Sequence, residues 1–302
     1  MNLANLLMGA ARTYGHRPAV SSGLEISQNY GSLARRSASL AAGLTERLGL
    51  KRGDHVAVIM KNCPQYLEVL FGLWYAGLTA VPINAKLHPN EFAYILDHSN
   101  SKACFTTPDL VEKVVPLAAD VGDLETIIST GEKDYDRLFS RSGPGSPEDL
   151  SPDDVAWLFY TSGTTGRPKG AMLTHHVIEF MAIVHLADID AVCEQDSIIH
   201  AAPLSHGSGM YVMPHIARGA NNVIPQSGGF DTGETLELIA HYPGSSFFFA
   251  PTMVHRLIND PEITTTDLKN LKNLIYGGGP MYLDDLRKAM EIFGPRMSQI
   301  YG

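Results

Sequence analysis

Cysteine is scarce in this chain. Its 302 residues include three, Cys63, Cys104 and Cys193, far apart and in no CxxC pair. Such spacing excludes a disulfide framework and a cysteine-rich zinc site, and it makes a reducing cytoplasm the expected location. Positive charge is also short: 23 Lys and Arg stand against 32 Asp and Glu, for a formal net charge of −9. With no basic surplus to neutralise a phosphate backbone or an anionic membrane surface, nucleic acid is not an expected partner. Long apolar runs are missing as well. The uncharged run from Val69 to Ala85 is broken by Gly72, Gly77 and Pro82, and that from Ser197 to Ala217 holds three histidines and two prolines, so neither reads as a membrane span. The N-terminus has no basic start and no unbroken apolar stretch; Leu3, Leu6, Leu7, Ala10 and Ala11 fall at helical spacing and predict an amphipathic surface helix rather than a signal peptide. Histidine is plentiful, yet His175–His176 and the His200/His206 pair lack a carboxylate or cysteine at ligand spacing, so surface or core histidines are expected and no metal site.

What is present is apolar mass in alternating periods. A content of 44% hydrophobic and 18% charged residues suffices for a large core, as one elaborate domain or two simpler ones. The run His55–Met60 reads as a buried strand, a helix opens near Pro64 with Tyr66, Leu67, Leu70, Leu73 and Trp74 inward, and Thr79–Ile83 reads as the next strand. Helix Asn90–Asp97, strand Lys102–Thr106, helix Asp109–Asp120 disturbed by Pro116, and strand Glu125–Ser129 continue the pattern. Residues 140–154, rich in Ser, Gly, Pro and Asp, predict a surface connection to the strand Val155–Tyr160. Later strands are expected at Ser197–Ala201, Asn222–Ile224, Ser245–Phe249 and Leu274–Tyr276, with helices at Gly209–Ala217, Thr235–His241 and Met281–Phe293. The class is α/β, with helix-covered, parallel-rich β-sheets. The chain stops at Gln299-Ile-Tyr-Gly302, just where another strand would deliver it into a loop, which predicts a domain incomplete at its C-terminus.

The most informative segment is Tyr160-Thr-Ser-Gly-Thr-Thr-Gly-Arg-Pro-Lys-Gly170. Gly163 and Gly166 can turn successive N–H groups toward one anion, while Thr161, Ser162, Thr164 and Thr165 add hydroxyl donors and Lys169 a mobile positive charge. A Walker A loop is excluded, because Lys169 follows proline and precedes glycine instead of completing a Gly-Lys-Ser/Thr triplet.

This segment resembles the signature phosphate loop of the adenylate-forming superfamily, which includes acyl- and aryl-CoA synthetases, luciferases and the adenylation domains of peptide synthetases. Segments similar to the family's follow in its order: Pro203-Leu-Ser-His-Gly-Ser-Gly209, Phe249-Ala-Pro-Thr252, Tyr276-Gly-Gly-Gly-Pro280 and Gln299-Ile-Tyr-Gly302. The resemblance implies that residues 1–302 are the AMP-binding N-terminal domain, without the lysine-bearing lid domain. It implies that Thr161, Ser162, Gly163, Thr164, Thr165, Gly166 and Lys169 hold the β- and γ-phosphates of ATP, that Gly277, Gly278, Gly279 and Pro280 line the adenine and the acyl carboxylate, and that Tyr301 stacks on the adenine. His206 would border the acyl pocket as a gate between reaction steps, binding rather than transferring a proton. Gly207, Met210, Thr252, Met253 and Gly278 would line that pocket, with core packing an equal alternative for Met210 and Met253. Lys169 and His206 are the residues expected to act at the reacting groups.

The implied activity is ATP-dependent conversion of a fatty or aryl carboxylic acid to an acyl-AMP, followed by transfer to coenzyme A. ATP, Mg²⁺ and coenzyme A are the implied co-substrates and cofactor, and a homo-oligomer is compatible with the sequence. The alternatives are an acyl-AMP ligase or luciferase-like enzyme without coenzyme A transfer, or a catalytically silent nucleotide-binding protein. Peptide-synthetase chemistry is disfavoured, since Ser205–Tyr211 and Phe247–Val254 carry no acid to meet an amino group. The family's Mg²⁺-binding acid and its mobile lysine would lie beyond Gly302, so residues 1–302 alone are expected to bind ATP weakly without completing adenylation.

Overall fold

The computed structural model describes residues 1–119, 121–139, 142–161 and 167–301. In chain order, α1 (Ala4–Tyr14) precedes the hairpin β1 (Pro18–Ser22) and β2 (Glu25–Asn29), and α2 (Tyr30–Glu46) leads to β3 (His55–Met60). Then come α3 (Pro64–Tyr75), β4 (Thr79–Asn84), α4 (Pro89–His98), β5 (Ser101–Thr106), α5 (Val111–Val114), β6 (Thr126–Ser129) and α6 (Lys133–Arg137). Strands β7 (Val155–Thr161) and β8 (Lys169–Thr174) are followed by α7 (His175–Val184), β9 (Ser197–Ile199), α8 (Gly207–Met210), α9 (Val212–Ala217) and β10 (Asn221–Ile224). The last elements are α10 (Thr232–His241), β11 (Ser245–Phe249), α11 (Pro251–Ile258), β12 (Leu271–Tyr276), α12 (Leu283–Phe293) and β13 (Met297–Gln299).

These elements divide into two compact units. The first comprises Met1–Gly9, Gly31–Lys61 and Gln65–Met181. Its six-stranded sheet has the order β6-β5-β3-β4-β7-β8, parallel except for the antiparallel β7–β8 pair. The predicted strand–helix–strand is present, with β3 and β4 in parallel register from His55↔Thr79 to Met60↔Asn84. Helix α3 is buried from Tyr66 to Tyr75, Glu68 included. A charge so placed needs partners. Glu68 accepts from Arg36 through Nη2 at 3.0 Å and through Nε, and from the Tyr135 hydroxyl. Helix α4 opens with Pro89 and a reciprocal cap: His88 Nδ1 accepts from the Asn90 N–H at 3.2 Å, and Glu91 Oε2 accepts from the His88 N–H at 3.0 Å.

Two expectations are revised in this unit. The helix expected from Asp109 is three short pieces: a 3₁₀ turn at Pro108–Leu110, α5, and a second 3₁₀ turn at Val115–Ala119. Pro116 has no N–H to continue an α-helical ladder, which is why the periodic apolar residues still reach the core but in shorter turns. Residues 142–154 are irregular, as their composition predicts, but Leu150 is buried.

The second unit comprises Ala10–Tyr30, Asn62–Pro64 and the segment from Ala182 onward. Its seven-stranded sheet runs β13-β12-β11-β9-β10-β1-β2, parallel from β13 to β1, with β2 antiparallel at the edge. The helix expected over Gly209–Ala217 is split at Tyr211 into α8 and α9. The core is built on Phe247 and Phe249, whose rings stack at 4.3 Å, with Leu236, Ile239, Val254, Leu257, Leu274 and Phe293 around them.

The Glu68 cluster generates a stability prediction. Arg36→Met removes a partner and leaves a buried carboxylate short of hydrogen bonds. Since Arg36 is itself 40% exposed, unfolding in urea is expected to show a loss of about 2–3 kcal/mol, below the range for a wholly buried pair. A wild-type urea midpoint in the variant would mean the pair is idle.

Candidate active site

Every functional candidate in the second unit stands just past the carboxyl end of a parallel strand. The loop holding Ser205, His206 and Gly207 follows β9, Thr252 and Met253 open α11 after β11, Gly277–Pro280 follow β12, and Tyr301 follows β13. Because β13, β12, β11 and β9 are neighbours in the sheet, these loops share one edge, where open α/β sheets hold their ligands. Adjacent strand ends are bonded to one another: the Gly277 N–H donates to the Phe249 carbonyl at 3.2 Å, and the Ile300 N–H to the Tyr276 carbonyl at 3.0 Å.

Glycine is required here by space and by conformation. A Cβ on Gly277 would stand 2.7 Å from Ile300 Cγ1, and one on Gly207 would overlap the Phe248 ring. Gly278 has φ of +79° and no atom within 4 Å of where its Cβ would be, so this exposed backbone faces open space in a conformation closed to most side chains. Such a bare, exposed turn is a fit for a flat base or a carboxylate. Tyr301 is fully exposed, leaving its ring face open for stacking.

The residues proposed for the acyl pocket do not all behave alike. His206 is partly buried, with Nδ1 2.9 Å from Ser205 Oγ, and burial pushes its imidazole below the ordinary histidine value. Thr252 is exposed, whereas Met253 packs half-buried against the Phe249–Val254–Leu257 core. Of the two readings open for Met253, its packing favours core, and Met210 is partly buried. Three residues were not identified from sequence. Phe248 and Tyr211 stack at 5.4 Å and 23°, with the Phe248 ring beside Gly207. Asn62 Nδ2 donates to the carbonyls of His200 and Ala202 at 2.7 and 2.8 Å, and its Oδ1 accepts from the Leu204 N–H at 2.9 Å, bracing the loop that carries His206. Asn62 is 138 residues from His200, and a lone asparagine carries no local signal of such a role. His200 is a core histidine, bridging Ser208 Oγ at 2.8 Å and Asn222 Oδ1 at 3.0 Å.

In the first unit the Gly- and Thr-rich segment closes an antiparallel hairpin. Tyr160 pairs with Gly170 and Thr161 with Lys169, which places the Thr161 and Lys169 side chains on one face at the neck of the loop. Both are exposed. Ser162, Gly163, Thr164, Thr165 and Gly166 lie outside the described residues. Among the described residues, no three or more His, Cys, Asp or Glu side chains gather to hold a metal, and no helix is long and apolar enough to cross a membrane.

A profile of the AMP-binding enzymes matches residues 8–302. The chain belongs to this family. A feruloyl-CoA synthase from Amycolatopsis sp is 35% identical over 278 residues, 91% of this chain and 54% of that protein. Among solved structures, a long-chain-fatty-acid-CoA ligase (FadD1) from Archaeoglobus fulgidus aligns with all of this chain and 64% of its own at a TM-score of 0.88 and 25% identity. ATP-bound MatB from Rhodopseudomonas palustris aligns with all of this chain and 60% of its own at a TM-score of 0.85 and 26% identity. The chain spans about half the length of the curated relatives it matches, 54% for the synthase. The match spans the Gly- and Thr-rich segment after β7 and the four later strand-end segments.

Buried histidines in this family member set an acid limit. Burial pushes His175 and His200 down to about 4 and lowers His185, His206 and His215. Below about pH 6.5 the unfolded chain therefore binds more protons than the folded one, so stability falls as pH drops toward 4. His175 and His200 are each expected to contribute on the order of 1–3 kcal/mol to that loss. His200→Gln is expected to flatten the pH dependence of the urea midpoint between pH 6.5 and 4; an unchanged slope would refute the neutral, buried assignment of His200.

Proposed function

We propose that this chain forms the nucleotide- and acid-binding part of an acid–thiol ligase, which activates a carboxylic acid as its acyl-AMP and passes the acyl group to coenzyme A. The observation that carries the reading is the array of Gly277–Gly279, His206 and Tyr301 along one sheet edge, in a chain of the AMP-binding family. In the first step a carboxylate oxygen bonds to the α-phosphorus of ATP as the bond to the bridging oxygen breaks and pyrophosphate leaves. In the second, the coenzyme A sulfur, as thiolate, bonds to the acyl carbon and AMP leaves.

The residues suit those demands in chemical terms. Lys169 and Thr161 offer a cation and a hydroxyl to phosphate oxygens whose charge grows as pyrophosphate separates. Gly277, Gly278, Gly279 and Pro280 let backbone approach the adenine and the acyl carboxylate, and Tyr301 offers a stacking face. His206, kept neutral by burial, orients the acid without adding charge at its carboxylate. Met210 and Thr252 remain assigned to the acid pocket; the stacked Phe248–Tyr211 pair beside Gly207 suits a flat aromatic acid, in keeping with the feruloyl-CoA synthase relative. ATP is taken up with Mg²⁺, and no step of this proposal runs through a metal ligand of the described chain.

Acid-dependent pyrophosphate exchange by the whole ligase of which this chain is proposed to be part tests the reading, with hydroxycinnamic, benzoic, short-chain and fatty acids, and with and without coenzyme A. Exchange is expected with an aromatic acid and thioester only when coenzyme A is present; silence with every acid would remove the assignment. Lys169→Ala is expected to lower turnover about 10²–10³-fold with acid binding unchanged, because a preorganised phosphate contact strengthens in the transition state. Parallel loss of acid binding and turnover would indicate a folding defect and end the role given to Lys169.

A further inference from the structure

Both ends of the loop between β7 and β8 are tied to α4. At the entry, the Tyr160 hydroxyl lies 2.7 Å from His98 Nδ1, and the two rings meet edge-on at 5.9 Å and 84°. At the exit, the Tyr94 hydroxyl donates to the Pro168 carbonyl at 3.3 Å, and the Arg167 guanidinium lies 6.0 Å from the centre of the Tyr94 ring. Tyr94 and His98 are one turn apart, and their rings stack at 5.4 Å and 26°, so one face of one helix reaches both ends of the loop. Tyr160 is itself fixed. It is 6% exposed in a core with Phe92, Leu96 and Leu158, and its cross-strand partner Gly170 admits the ring so closely that a Cβ would fall 2.9 Å from it.

We propose that Tyr94 and His98 are a clamp on the neck of the β7–β8 hairpin, positioning residues that hold Thr161 and Lys169 in place for the β- and γ-phosphates of ATP. This rests on the phosphate-binding role proposed above for the loop. A hydroxyl and an ammonium group at a paired neck serve phosphate oxygens best when the strands that carry them are anchored before binding, so that nothing has to be ordered anew at each binding event. The clamp supplies that order beforehand. Burial pushes the Tyr160 phenol up to about 12, so it stays protonated and shares a hydrogen bond with His98 Nδ1. Tyr94 acts at the other end through Pro168, next to Lys169.

The test separates phosphate recognition from nucleoside recognition. ATP and AMP affinities are measured by calorimetry for the wild type, His98→Ala, His98→Asn, Tyr94→Phe and Lys169→Ala, together with thermal midpoints. His98→Ala is expected to weaken ATP about 10-fold and to leave AMP within about 2-fold, the scale of one lost hydrogen bond at a preorganised site. His98→Asn, whose amide can take the place of Nδ1 in that bond, restores most of the ATP affinity, and Tyr94→Phe, which loses only the bond to Pro168, costs about 3-fold. Equal losses for ATP and AMP, or ATP affinity unchanged in both His98→Ala and Tyr94→Phe, would overturn the clamp. Should His98→Ala fail to fold, His98→Asn and Tyr94→Phe carry the comparison. A wild type that does not bind ATP, or a Lys169→Ala variant that binds it as tightly, would instead overturn the role of the loop, and the clamp with it.

Discussion

Parallel pairing constrains where chemistry can occur in this chain. Strands that run side by side in one direction must release their backbones at the same edge, and each release point is a place where the ladder of N–H and C=O groups ends. In the second unit β13, β12, β11 and β9 do this in succession, so residues distant in sequence emerge as neighbours. The hydrogen bonds Gly277 to Phe249 and Ile300 to Tyr276 are the last rungs before the loops separate. That crowding makes Gly277 and Gly207 small, and the turn that follows makes Gly278 left-handed.

Loops leaving such an edge carry unpaired backbone groups, and the structure meets this need with buried polar side chains. Asn62 makes three hydrogen bonds with the loop after β9, donating two and accepting one, and His200 joins Ser208 to Asn222. Inside a sheet-and-helix core these contacts matter more than they would in water, because the alternative is a desolvated group with no partner. The same economy holds Glu68 in α3, where Arg36 and Tyr135 answer a carboxylate that the buried helix would otherwise strand. On the β7–β8 hairpin, Tyr160 and Tyr94 give the loop a footing in the core of the first unit.

Much of the sheet framework was legible because parallel strands buried on both faces are continuous apolar runs. β3 and β11 have the bounds their sequences predict, and α3, β4, α4, β5 and β7 differ by a residue or so. The helix expected at Asp109 failed where a proline broke the backbone ladder while the apolar period continued, and α8 and α9 were merged because a helical period does not register a break at Tyr211. The hairpin β1–β2, with its exposed β2 residues, has too little apolar alternation to stand out. Strand β8 escaped notice because its residues were read as the end of a loop; its pairing with β7 is a long-range choice that composition does not signal.

By itself the sequence determined the class of the fold and the family, because glycine, hydroxyl and lysine patterns are local and each answers a local demand of backbone or charge. The tertiary structure alone decided which side chains meet. The division into two units, the packing of half-buried Met253 against the core, the Phe248–Tyr211 stack and the bracing by Asn62 all depend on contacts between residues far apart in the chain. So does the reach of α4 to both strands of the β7–β8 hairpin. Such contacts are set by packing and strand order, which become definite only when the whole apolar surface is buried at once.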